Sequence, residues 1–81
     1  MSFTVVDLNT RIMTIVKTER YVNWAINESV PIPGAWWKAN FHTDKFLVIP
    51  RRLTVRSPIT KIKPRLLEAM MSSSRPYRKT T

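Results

Sequence analysis

Between residues 5 and 29 the chain has neither glycine nor proline, while its only glycine, Gly34, and all six prolines come later. The first part must therefore build regular structure without a breaker, and everything after it is repeatedly interrupted. Apolar residues recur at Leu8, Ile12, Ile15, Val22 and Ile26, a spacing that suits helical packing. Thr14, Ile15 and Val16 form a β-branched run of low helix propensity, so the pattern predicts one helix over residues 5–13, a turn, and a second over 18–29. Thr18 would cap the second helix, with Glu19 near its positive end.

On that second helix Arg20, Asn23 and Asn27 are three and four residues apart and share a face. Arginine and asparagine pair bidentately with guanine and adenine in the major groove, although an ordinary solvated face has the same composition. Pro31, Pro33 and Gly34 then stop the helix. Two apolar stretches follow, at residues 35–37 and 46–49, whose aromatic and β-branched content favours strands. The polar residues 40–45 between them read as a hairpin loop, with Lys38, His42 and Lys45 on or beside it. A hairpin of this kind next to a helix pair is a wing, whose basic tip can follow phosphates or enter the minor groove.

After Pro50 come Arg51 and Arg52, and then a basic, proline-punctuated segment. The expected organisation is a compact domain over residues 1–56 and a largely flexible basic tail over 57–81. Within that tail, residues 65–71 could form a short amphipathic helix offering Leu66, Leu67, Met70 and Met71 to a partner. The fold class expected is α+β: a small winged helix, with two helices in a helix-turn-helix-like pair and a two- or three-stranded antiparallel wing.

Charge sharpens this picture. The net charge is +9 over 81 residues. Arg11, Lys17 and Arg20 are balanced by Asp7, Glu19 and Glu28, whereas from Lys38 onward eleven Lys or Arg face only Asp44 and Glu68. A basic half is the footprint of a polyanion binder, because each phosphate neutralised releases condensed counterions. The chain lacks cysteine, has a single histidine, and spaces its five carboxylates without an acid–base pair. No metal-ligand cluster or glycine-rich phosphate loop can be assembled, so neither a metal, a cofactor nor an enzymatic activity is expected. The opening residues lack the pattern of a secretory signal and no apolar run approaches the roughly 20 residues of a membrane span, which leads to the expectation of a cytoplasmic protein without membrane contact.

The order of parts resembles the winged-helix excisionases of temperate phages, the lambda type in particular. The likeness runs through Phe3-Thr4-Val5-Val6-Asp7-Leu8-Asn9-Thr10-Arg11, then Glu19, Trp24 and Glu28, Ile32-Pro33 and Phe46-Leu47, covering about residues 3–50. The resemblance implies a phage-encoded protein in a bacterial host that binds and bends attachment-site DNA, self-associates cooperatively on it and recruits the phage integrase to promote prophage excision. It gives Glu19, Arg20 and Asn23 groove-facing roles on the second helix and Lys38 or Lys45 the wing role. The sequence departs from the family in carrying Val22 and Ile26 where that helix has basic residues, and in a longer wing.

The full set of expected DNA contacts is Lys17, Glu19, Arg20, Asn23 and Asn27 with the helix, Lys38, His42 and Lys45 with the wing, and Arg51, Arg52 and Arg56 on phosphates. Arg65, Leu66, Leu67, Met70 and Met71 are the expected integrase contacts. Loss of residues 57–81 is then expected to spare DNA binding and abolish excision. Two other functions fit the same composition: a phage winged-helix transcriptional regulator, and a basic RNA-binding or ribosome-associated protein in which Trp36, Trp37 and Phe41 stack on bases, although in so small a domain these aromatics are expected to fill the core.

Overall fold

The computed structural model describes residues 2–26, 38–53 and 59–76, except for the side chains of Glu19, Asn23, Trp24, Ile59 and Thr60. In chain order the elements are β1 (Phe3–Asp7), β2 (Ile12–Val16), α1 (Glu19–Ile26), β3 (Phe41–His42), β4 (Phe46–Ile49), β5 (Ile59–Lys61), α2 (Pro64–Ser72) and β6 (Arg75–Pro76). The strands form a single sheet in the order β5-β2-β1-β4-β3-β6. The first five are antiparallel neighbours, and the two-residue β6 joins β3 in parallel. The fold is a small α+β domain.

The helix expected over residues 5–13 does not form; a β-hairpin stands in its place. Val5, Val6, Ile12, Thr14, Ile15 and Val16 are β-branched, and pairing each strand with its neighbours overrides the apparent helical spacing. The turn needs no glycine. The Asp7 carboxylate accepts the N–H groups of Asn9 at 2.8 Å and Thr10 at 3.1 Å, an Asx turn, and Arg11 N–H donates to the Asp7 carbonyl at 2.7 Å. Arg11 closes the loop with φ of 60°, the left-handed region usually left to glycine or asparagine.

Residues 3–6 are all buried, although successive side chains of a strand point to opposite faces. Both faces of β1 must therefore be covered, and they are covered by different helices. On one face Phe3, Val5, Val16, Phe41 and Val48 pack with Val22 and Ile26 of α1. On the other, Val6, Met13, Leu47 and Ile49 pack with Ile62 and with Leu67 and Met70 of α2. A strand buried on both sides reads as a continuous apolar run, which hides its period of two.

α1 lies where the second helix was expected, and residues 27–29 of that expectation fall outside the described residues. Thr18 caps it, its Oγ1 and carbonyl accepting the Tyr21 N–H at 3.4 and 3.1 Å. The expected wing strand at residues 35–37 also lies outside the described residues. The hairpin that does form pairs β4 with Phe41–His42, which the sequence places in a loop. Its tight turn is held by Thr43, whose Oγ1 accepts the N–H groups of Lys45 at 3.2 Å and Phe46 at 3.0 Å.

Residues 59–76, which fall in the segment expected as a largely flexible tail, pair with the sheet and pack in the second core. β5 pairs with β2 over Ile12↔Lys61, Met13↔Thr60 and Thr14↔Ile59, and α2 closes the second core. Pro64 starts α2, a position where its missing N–H costs nothing. The boundary expected between residues 56 and 57 lies outside the described residues, but the segment after it belongs to the same sheet.

Candidate nucleic-acid interface

Strand register decides which charged residues meet. The pairs Phe3↔Val16, Thr4↔Ile49 and Phe41↔Val48 put the start of β1, the ends of β2 and β4 and the start of β3 at one end of the sheet. Lys17 follows β2 at that end, and Arg20 sits in the first turn of α1. Lys38 lies three residues ahead of β3, and Arg51 and Arg52 follow β4. Arg75, at the start of β6, pairs with Phe41 and donates its N–H to the Asn40 carbonyl at 3.2 Å. All six cations are exposed, and none makes an ion pair with another described residue.

The chain after β4 is pinned at this end by Thr4, which is 0% exposed. Its hydroxyl donates to the Arg51 carbonyl at 2.8 Å and accepts the Leu53 N–H at 3.1 Å. Arg51 and Arg52 therefore have a fixed backbone while their side chains stay in solvent. Tyr21, 54% exposed, stands beside Arg20 as a large aromatic side chain on the same helix turn.

The other expected contacts are distributed differently. Glu19 and Asn23 are on α1, but their side chains are outside the described residues, as are Asn27 and Arg56 altogether. Lys45 is exposed but belongs to the opposite end, in the β3–β4 turn. His42 is half-buried beneath the end of α2 and not on a loop tip: its Nδ1 lies 2.6 Å from Ser74 Oγ. The Ser74 hydroxyl also lies 2.8 Å from the Met71 carbonyl, to which it can donate.

Of the expected integrase contacts, Leu67 and Met70 are buried in the α2 core and Met71 packs beside it. Arg65 is exposed, and Leu66 is 49% exposed. Phe41, a candidate base-stacking residue, is buried against α1, while Trp36 and Trp37 lie outside the described residues.

Sequence reasoning missed Arg75, and also Arg11, Lys61 and Lys63 at the opposite end. Nothing in the local sequence marks them, because their positions depend on pairing between segments far apart in the chain.

An open cleft of about 250 Å³ lies between the β1–β2 turn and the end of α1, lined by Val5, Asp7, Thr10, Ile12, Thr14, Ala25 and Phe46. Asp7 is the one ionisable group in that lining, and its Oδ1 already holds the turn. Among the described residues no three His, Cys, Asp or Glu gather as a metal site, and no helix is long and apolar enough to cross a membrane. Comparison with protein-family models, curated proteins and solved structures finds no match to this chain.

Proposed function

We propose that this protein is a non-enzymatic binder of duplex DNA that holds the phosphate backbone with one end of its sheet. The observation that carries this reading is the gathering there of Lys17, Arg20, Lys38, Arg51, Arg52 and Arg75, exposed and without ion pairs among the described residues. Like charges held close cost stability, and a polyanion recovers that cost by neutralising them and releasing counterions. Arg20 is the one described side chain of this group that combines a helical mount with base-reading chemistry. Phosphate contacts and DNA shape would therefore supply most of the binding, with limited base readout.

Within this reading the protein acts as a phage excisionase. α1 approaches the groove, and the β1–β2 hairpin supports it where the family has a first helix. Lys38, ahead of β3, takes the phosphate-contacting role of a wing, because the β3–β4 turn lies at the opposite end of the sheet. Contact with integrase would use the exposed Arg65 and Leu66 of α2, and neighbouring copies would associate along bent attachment-site DNA.

A gel shift comparing attachment-site duplex, random duplex and RNA at two salt concentrations tests the reading. Five or six phosphate contacts predict a log–log salt slope of about −5, and replacing Lys17, Arg20, Arg51 and Arg52 by Ala should flatten it by about 3.6. Equal affinity for the three nucleic acids defeats the excisionase reading, and an unchanged slope in the fourfold variant defeats DNA binding through this end. Recombination with purified integrase then tests the finer role: unaltered excision in the absence of the protein would rule out an excisionase.

A further inference from the structure

The end of the sheet opposite the proposed DNA surface carries a second cluster of cations. Arg11 closes the β1–β2 turn, Lys45 lies in the β3–β4 turn, Lys61 ends β5, and Lys63 and Arg65 flank the start of α2. Backbone hydrogen bonds tie these segments into one surface. The Lys45 carbonyl accepts the Leu8 N–H at 2.9 Å and the Arg11 carbonyl accepts the Ile62 N–H at 2.7 Å. The five side chains are exposed and make no ion pair with another described residue. Of the three carboxylates nearby, Asp44 is exposed in the turn beside Lys45, Glu68 is exposed on α2 three residues after Arg65, and Asp7 is occupied through Oδ1 by the Asn9 and Thr10 N–H groups.

Cations at both ends of the strands face in opposite directions, separated by the length of β1, about 17 Å for five residues. A duplex lying across one end leaves the other open. Between the ends, the two faces of the sheet are occupied by the apolar contacts with α1 and α2.

We infer that this second cluster is a separate phosphate-binding surface and that one protein molecule bridges two DNA duplexes. The inference rests on the proposed DNA binding and adds a second duplex as partner. Arg11 and Lys45 contact its backbone from turns, Lys61 from the end of β5 and Lys63 from the start of α2, positions already held by backbone hydrogen bonds, so little loop ordering opposes binding. Contacts made to the phosphate backbone carry no sequence information, and the second duplex is accepted regardless of sequence.

The experiment is capture of a fluorescent duplex by the full-length protein bound to a bead-immobilised duplex, alongside a gel shift on one duplex and the oligomeric state by analytical ultracentrifugation. The wild type is expected to capture the second duplex as a monomer. The triple variant Arg11→Gly, Lys61→Ala, Lys63→Ala is expected to lose roughly tenfold in capture while keeping single-duplex affinity. Arg11→Gly suits the left-handed turn, and the double variant Lys61→Ala, Lys63→Ala serves as a control for folding, with a smaller loss of capture expected. A wild type that binds one duplex but captures no second one overturns bridging and leaves DNA binding in place. So does capture unchanged in both variants, or capture that appears only with a dimer. Failure to bind any duplex overturns both readings.

Discussion

The two faces of the sheet are closed in different ways. The α1 face is closed by a helix that follows directly on the β1–β2 hairpin, and the hairpin and α1 fall within residues 3–26. The α2 face depends on Ile62, Leu67 and Met70, which lie more than forty residues after β2. Near-equal apolar stripes on the same strands thus wait on segments of different sequence distance. The comparison teaches that the C-terminal region, which composition marks as a basic tail, supplies Ile62, Leu67 and Met70 to the second core.

The largest test of that comparison is removal of residues 59–81. The truncation uncovers Val6, Met13, Leu47 and Ile49 and loses the burial of Ile62, Leu67 and Met70, about 5–9 kcal/mol at roughly 1.5–3 kcal/mol per side chain. That equals the whole stability of a typical small domain. Thermal unfolding followed by circular dichroism should show no cooperative transition. A sharp transition at the full-length Tm would return the segment to the status of a tail, and with it the expectation that DNA binding survives its loss.

Single substitutions compare the faces at finer scale. Leu47 and Val48 are neighbours on β4, both fully buried, one against each helix. Leu47→Ala is expected to cost about 3 kcal/mol and Val48→Ala about 2 kcal/mol in urea denaturation. A cost below about 0.5 kcal/mol at Leu47 would mean that the α2 face is loosely closed.

Thr4→Val keeps the shape of a buried side chain but strands the Leu53 N–H and the Arg51 carbonyl, at an expected cost of about 2 kcal/mol. Faster amide exchange at Leu53 is the matching local readout. An unaltered exchange rate would separate Thr4 from the fixing of Arg51 and Arg52.

The smallest effect is expected at the turn that replaces the first helix. Arg11→Gly relieves a left-handed backbone and should stabilise the fold by up to about 1 kcal/mol, whereas Arg11→Val should destabilise it. The opposite order in melting temperature would be the signature of a helix through residues 5–13.

Much of α1 and β4 was legible because their signals are local: Thr18 as a cap, apolar residues on one helix face, and a short β-branched run ended by Pro50. The hairpin was not. Leu8, Ile12 and Ile15 mimic helical spacing, yet Leu8 lies in the turn while Ile12 and Ile15 point to opposite faces of β2. Asp7 and Asn9 were the available turn signal, stronger here than the absence of glycine. For the candidate site, the sequence identified Lys17, Arg20, Lys38, Arg51 and Arg52 individually, and register brought them to one end. His42 and Lys45 were identified equally well as types, but register sent them elsewhere.

By itself the sequence determined a small α+β chain with a strongly basic second half, a capped helix after Thr18 and an apolar strand before Pro50, since charge and local propensity are carried by residues one at a time. Only the tertiary structure decided that residues 3–16 pair as strands, that residues 59–76 complete the sheet and core, and that the cations divide between two ends. The physical reason is that a strand satisfies its backbone through partners distant in sequence, so both its identity and the neighbours of its side chains are fixed by pairing.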